Sequence, residues 1–326
     1  MPALTLLDWA KRQGPDSKQA KIVELLNQTN EILDDMLFVE ANQATGHRTT
    51  VRTGLPSATW RMLNYGVPPS KSTTAQVTDT VGMLETYSEV DKDLADLNGQ
   101  TSEFLLSESL AFLESMNQEM AETLIYGDTT VHPQRFTGLS ARFNSLAAKN
   151  GVNIIDAGGT GSNLTSIWLV VWGENTVHGL FPKGSKAGLQ QEHKGQVTLE
   201  DENGGKYEGY RTHFQWKNGL TVRDWRYVVR VANIDISKLK KDPEAADSLD
   251  LPDLLIQAIE KIPNLAMGRP AIYCNQAIRS WMRRQIKNSK NVNISMQEVA
   301  GKKVVSFDEI PVRRVDSILA TESQVK

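Results

Sequence analysis

Residues 46–98 constrain this chain most. His47 to Thr53 and Ser57 to Tyr65 are rich in Thr, Val, Trp and Tyr, as strands are. Gly66-Val67-Pro68-Pro69-Ser70-Lys71-Ser72 is a turn or tip signal, and the return arm alternates Ala75, Val77, Val81, Met83 and Tyr87 with mostly small polar residues. This predicts a long hairpin whose arms carry too little apolar surface to hold a core alone. Its charges are segregated. The first arm has Arg48, Arg52, Arg61 and Lys71 with no acid; the return arm has Asp79, Glu85, Glu89, Asp91, Asp93 and Asp96 against Lys92 alone. The two arms could pair with each other, meet complementary surfaces on neighbouring subunits, or leave most of these charges solvated.

Around the hairpin the chain divides into regions 1–45, 46–98, 99–150, 151–235 and 236–326. Gly14-Pro15 breaks the start into an irregular arm, and a helix is expected from Asp16 or Ser17 through Ile22, Leu25, Leu26, Ile32, Leu33, Met36 and Leu37. The firmest helix is 101–126, with Glu103 in its first turn, Gly127 as terminator, and an apolar stripe of Leu106, Leu110, Leu113, Met120 and Leu124. Ile167 to Trp172 reads as a buried strand, too short to cross a bilayer. Tyr207 to Trp216 and Thr221 to Val231 read as two strands joined by a turn at 217–220. Beyond Asp235 the pattern becomes α/β. Pro252 opens a helix that Pro263 stops, Ala271 to Cys274 is a strand, Asn275 caps a helix through Ile278, Trp281 and Ile286, and Val304 to Phe307 and Ile310 to Leu319 are strands.

Chemical motifs are weak. Gly158-Gly159-Thr160-Gly161-Ser162-Asn163 lacks the Gly-Lys-Ser/Thr and following helix of a phosphate cradle, and Pro182 to Gly188 lacks the full spacing. His47, His132, His178, His193 and His213 are scattered without metal-ligand spacing. No Gly-x-Ser-x-Gly elbow exists. The single cysteine, Cys274, excludes an internal disulfide and reads as a buried small hydrophobe. Asp34-Asp35 read as solvated. No signal peptide is expected at Met1 to Gly14, so the Asn-x-Ser/Thr triplets at 27, 163 and 293 carry no meaning as glycosylation sites. A net charge of −3 argues against tight phosphate-mediated nucleic-acid binding. One asymmetry survives. Asp242 to Glu260 holds six acids and no base, whereas Arg269, Arg279, Arg283, Arg284, Lys287, Lys290, Lys302 and Lys303 face Glu298 alone. Pairing of these two segments, within a chain or between subunits, is favoured over a nucleic-acid patch.

The layout of arm, extended hairpin, and long helix ending in Tyr126-Gly127-Asp128 before Phe136-Thr137-Gly138-Leu139, then an α/β tail, resembles the major capsid proteins of tailed bacteriophages, those with the Hong Kong 97 fold. Trp225 to Asp235, Gly268 to Asn275 and Ile310 to Leu319 are similar to the coat subunits of short-tailed phages of the epsilon-fifteen and Bordetella-phage kind. The resemblance implies an α+β capsid fold with N-arm, E-loop hairpin, spine helix, and peripheral and axial domains, the last two permuted in order relative to the type member. It implies a shell subunit with no catalytic, cofactor or metal residue. Its partners would be copies of itself in pentamers and hexamers, a separate scaffold, cement or decoration proteins, and weakly held DNA, with no membrane. Host cytoplasm during assembly and the virion afterwards are the implied places. The type member's covalent lysine–asparagine cross-link does not transfer, because no motif here fixes the residues for it. Another virion component, such as a portal- or tail-associated ring, and an α/β enzyme using the 158–163 loop are the alternative readings.

Overall fold

The computed structural model describes residues 28–201, 203–239, 249–287, 294–299 and 302–326. Helix α1 (Ile32–Asp35) and strand β1 (Phe38–Glu40) lead into the hairpin, β2 (Gly46–Gly54) and β3 (Thr73–Asp91). Then come α2 (Lys92–Asp96), the long α3 (Thr101–Tyr126), α4 (Leu139–Arg142), and strands β4 (Ile154–Asp156), β5 (Leu164–Trp172), β6 (Val177–Phe181), β7 (Leu189–Glu200), β8 (Lys206–Val222) and β9 (Val228–Asp235). The chain closes with α5 (Leu251–Glu260), β10 (Arg269–Cys274), α6 (Gln276–Lys287), β11 (Ile294–Val299), β12 (Lys302–Phe307) and β13 (Ile310–Arg314). Most of the helix expected from Asp16 lies outside the described residues. Within them only Ile32–Asp35 is helical, and Phe38–Glu40 pairs in parallel with β6.

β5 organises the body. It pairs antiparallel with β9 on one side and β10 on the other, and β10 runs parallel to β13. Every residue of β5 is buried. Ile167, Leu169 and Val171 point into a core beneath α5 and α6, while Trp168, Val170 and Trp172 point into a second core beneath α3 and residues 136–146. A strand covered on both faces needs the near-continuous apolar run seen in the sequence, because period-two alternation sends half of it to each core. β9 from region 151–235 and β10 from region 236–326 flank the same strand. The expected succession of a peripheral-type region and then an axial lobe is therefore an interleaving: both regions share one sheet and both cores.

β8 departs from expectation. Residues 217–220 do not turn; the strand runs unbroken from Lys206 to Val222 and pairs with β3 along one edge and with β7 and then β6 along the other. Asn218 is buried and donates from Nδ2 to Met120 Sδ at 3.4 Å. A Cβ on Gly219 would meet the Thr80 carbonyl at 2.6 Å, so this glycine permits close strand approach. The real hairpin is β7–β8, closed where the Asp201 N–H donates to the Gly205 carbonyl at 2.8 Å, with Gly204 at φ 79°. The return to β9 comes later, through a single 3₁₀ turn, Trp225–Tyr227, capped by Asp224.

Residues 55–72 also differ: they form no strand. Pro56, Pro68 and Pro69 supply no backbone donor, and the segment buries no face that would hold a ladder together. At the far end of the chain, strand structure stops at Arg314 rather than Leu319.

Helix α3 has the expected bounds, yet Gly127 ends it with extended backbone, φ −54° and ψ 132°. The glycine is needed for proximity. Its N–H donates to the Thr123 carbonyl, its carbonyl accepts from Gly138, and a Cβ would lie 2.3 Å from the Phe136 carbonyl. Gly127→Ala is expected to cost about 1–3 kcal/mol through overpacking, read as a lower midpoint in denaturant unfolding. An unchanged midpoint would mean that residues 128–138 yield instead.

Candidate assembly surfaces

At the hairpin root, His47 on β2 lies opposite Asp79 on β3. Asp79 is buried and accepts from Arg142 at 2.8 Å, and the same guanidinium donates to the Leu220 carbonyl at 2.9 Å. The other return-arm acids face β8 and their own helix: Glu89 pairs with Arg211 at 2.7 Å, Glu85 with His213 and Gln215, and Asp96 with Lys92 at 2.9 Å. Opposite-sign arms thus do not pair with each other. Arg48 stands across from Thr78 and Arg52 across from Thr74. Among the described residues no acid pairs with Arg48 or Arg52. Together with Lys149, Arg223 and Arg226 they line a cleft whose one carboxylate, Asp224, is bound by Arg226 at 2.7 Å.

Two apolar surfaces remain bare. On the hairpin tip, Leu55, Trp60, Met62, Leu63, Tyr65 and Val67 are all exposed, Trp60 completely at 101%. On α3 the predicted stripe fails in its first half: Met120 and Leu124 are buried, but Leu106 is 63% and Leu110 51% exposed. The side of α3 turned to the body instead carries Phe104, Glu108, Ser109, Met116 and Ala121. A helix reaching past its own core leaves such residues for another surface.

The basic and acidic segments beyond Asp235 do not meet among the described residues. Arg279 on α6 donates to Glu31 at 2.9 Å, and Arg313 reaches Glu31 at 3.5 Å and Asp35 at 3.1 Å. Asp35 also accepts from the Tyr273 hydroxyl, so it is not solvated as its sequence position suggested; burial raises its carboxyl above the ordinary range against the pull of Arg313. Asp34 is exposed. The C-terminal basic region therefore anchors the segment that leads into the hairpin. Arg283 and Arg284 stay exposed beside it.

A buried ionic network fastens the chain's end. Arg230 and Glu322 are 3% and 5% exposed and meet at 2.9 Å. Arg230 also donates to Ser166 Oγ at 3.0 Å and the Phe143 carbonyl at 2.8 Å, and lies 4.9 Å over the Trp168 ring. Glu322 further accepts from the Ser166 and Tyr126 hydroxyls, and the Leu319 N–H donates to Tyr126 Oη at 2.9 Å. Burial and Glu322 together push the Tyr126 phenol up. This network was missed in the sequence, although a lone arginine inside Val228-Val229-Arg230-Val231-Ala232 is the signal for a buried acid partner.

Gly158, at φ 75°, and Gly159 turn the chain from β4 toward β5, with Gly159 donating to the Asn233 carbonyl at 2.9 Å, and a strand follows. Cys274 is buried, and burial pushes its thiol up to about 12, the state of an inert thiol. No cluster of three or more His, Cys, Asp or Glu able to hold a metal occurs among the described residues. His47 and His178 do come together, ring centroids 6.0 Å apart, while His193 and His213 sit on β7 and β8 beside Tyr210 and Tyr87.

A projecting hairpin and a long helix lie on a doubly covered mixed sheet, with bare apolar surface on both. The fold aligns with the solved structure of bacteriophage Epsilon15 over 100% of this chain and 98% of that one, at TM-score 0.73 and 36% identity. The family model for major capsid protein GP7 matches residues 14–326, and the chain belongs to that family. It is a coat protein that self-assembles into the icosahedral shell enclosing a phage genome, and its place is the virion. More remote likeness extends to the bacteriophage JBD30 capsid, at 10% identity and TM-score 0.48 over 90% of this chain and 92% of that one. The holo-SrpI encapsulin complex of Synechococcus elongatus is similar at 12% identity and TM-score 0.47 over 71% and 97%. Curated proteins give no match.

Proposed function

We propose that shell building by this coat subunit rests on the hairpin, whose tip is laid across a neighbouring copy. The observation that carries this is the tip itself: six large apolar side chains are exposed, and the segment has no ladder to hold it in isolation. Contact with a second copy would bury those side chains, and repetition around closed rings turns modest interfaces into a stable cage. The basic cleft at Arg48 and Arg52 and the bare α3 face at Leu106 and Leu110 are the complementary surfaces a neighbour would use.

The subunit works without catalysis, as a structural element. Assembly takes place in the host cytoplasm, and any scaffold, cement or decoration protein that takes part is a separate chain. DNA contact is weak and non-specific, in keeping with the net charge of −3. The working divisions are 1–45 as N-terminal arm and helix, 46–98 as hairpin clamp, 99–150 as spine helix with the start of the peripheral domain, 151–235 as the strand-rich peripheral-type region and 236–326 as the axial domain with the C-terminal strand. Expansion of the shell during DNA packaging would proceed by rigid-body motion with bending near α3.

The test is to express the chain, alone and with candidate scaffold proteins, and image the products by electron microscopy. Polyhedral particles are expected. Rings of small fixed copy number under every condition would overturn the reading. The double variant Arg48→Glu/Arg52→Glu is expected to lower particle yield about tenfold or more and to reduce its salt dependence, since like charge across an interface is strongly disfavoured. Wild-type yield and salt response from this variant would remove the cleft from the interface.

A further inference from the structure

The hairpin is joined to the body through a small root. The Val81 N–H donates to the Thr45 carbonyl, Gln43 donates to Gly46, and the Arg142 guanidinium ties Asp79 to Leu220. Inside this root His178, on β6 opposite Thr221, is fully buried; neither ring nitrogen makes a hydrogen bond of good geometry, and the Gly173 backbone is a polar neighbour that favours its protonated form. The His47 ring meets it edge-on. His47 Nδ1 accepts from the Asn42 N–H at 3.3 Å, which places the proton of the neutral ring on Nε2, also unpartnered. Thr49 Oγ1, on the same face of β2, and Thr221 Oγ1 are buried and unpartnered too. This many buried polar atoms without a well-formed protein partner in one root is unusual for a folded protein.

We infer that His47 and His178 form an acid-sensitive latch that holds the hairpin at one angle to the body while both rings are neutral. The charged groups facing them are few. Arg223, at the end of β8, lies close to both rings and repels a proton; Asp79, across from His47, attracts one but is already neutralised by Arg142. Protonating both rings would therefore add two positive charges beside Arg223 with no free carboxylate to receive them. Relief comes when His47, at the margin of the root, swings out to water and frees β2 from the body.

Burial first, then Arg223 and His47, lower His178 to about 4, and burial and Arg223 lower His47 as well. A histidine whose value is lowered in the closed root binds its proton more readily in the open one. The latch thus holds fully above the ordinary histidine value near 6.5 and weakens as pH falls from there toward 4.

The test uses the unassembled full-length subunit, so that its outcome is independent of the clamp reading. Spin labels are placed through Thr74→Cys, in the β2–β3 ladder, and Lys194→Cys, and the distance distribution between them is measured from pH 7.5 to 4.5; Cys274, buried and protonated, stays unlabelled. One narrow distribution is expected at pH 7.5, with broadening or a shift through pH 6.5–4.5 that His178→Phe removes. His47→Phe, which alters the marginal ring and leaves the buried one, is expected to lessen the response and serves if His178→Phe does not fold. A wild-type distribution constant over the whole range overturns the latch. So does a pH response unchanged in whichever of these variants folds.

Discussion

Replacing residues 55–72 by a two-residue Asn-Gly turn is expected to give a folded subunit that forms no shells. Gly54 and Thr73 are already paired at the end of the β2–β3 ladder, so a tight turn closes the shortened hairpin without altering its register. None of the exposed apolar side chains of 55–72 belongs to either core cluster, and the thermal midpoint of the isolated subunit is expected to stay close to wild type. Assembly is different. Trp60 and its neighbours are of the kind that dominates interfaces, where truncating one such anchor costs about 2 kcal/mol or more. The deletion removes several per subunit, and every copy in the shell loses them together. Electron microscopy and sedimentation should show dispersed subunits or small oligomers. Normal particles from the shortened chain would dismiss the tip as the clamp.

Glu322→Ala is expected to be the most damaging single change to the subunit itself. It leaves the Arg230 guanidinium buried without its carboxylate and strips the Ser166 and Tyr126 hydroxyls of their acceptor. Removing one partner of a buried ion pair costs about 3–5 kcal/mol, because the remaining charge cannot reach water. Chemical denaturation should show this as a fall in midpoint with little change in slope. Replacing both partners, as in Arg230→Met/Glu322→Leu, is expected to recover much of the loss. A double variant as unstable as the single one would mean that the residual hydrogen bonds, rather than the stranded charge, set the cost.

Much of this fold was legible in the sequence where local chemistry and tertiary packing agree. Asp250 and Pro252 open α5 as expected, with Asp250 accepting from the Asp253 N–H, and Asn275 caps α6 by accepting from Ile278. The apolar run of β5 announced burial on both sides. Legibility failed where a residue type serves packing between distant segments. Asn218-Gly219 reads as a turn until β3 is seen against it, and Gly127 reads only as a helix terminator until the Phe136 carbonyl is seen 2.3 Å from its missing Cβ. The α3 stripe misled for a related reason: periodicity marks an apolar face without saying whether its own chain covers it. The charge blocks likewise revealed their sign but not their partners, since Arg279 and Arg313 meet Glu31 248 and 282 residues away in sequence. The paired histidines are a long-range meeting of single residues that no local pattern encodes, and for the Arg230–Glu322 network the local pattern signals a buried arginine without naming its partner.

β3 has a consequence for how one chain can occupy unequal positions in a shell. Its residues 81–91 are stitched to β8 in the body, and its residues 73–80 to β2 in the projecting arm. One continuous strand is thus both foundation and lever. From Thr80 to Thr73 the free part is roughly 23 Å long at about 3.3 Å per residue, so a tilt of about 10° at the root carries the strand end about 4 Å. Displacement grows with distance from the root while the body stays unmoved. With the tip laid on a neighbour as proposed, a tilt of about this size would let one subunit serve a sharply curved vertex or a flatter facet without disturbing either core.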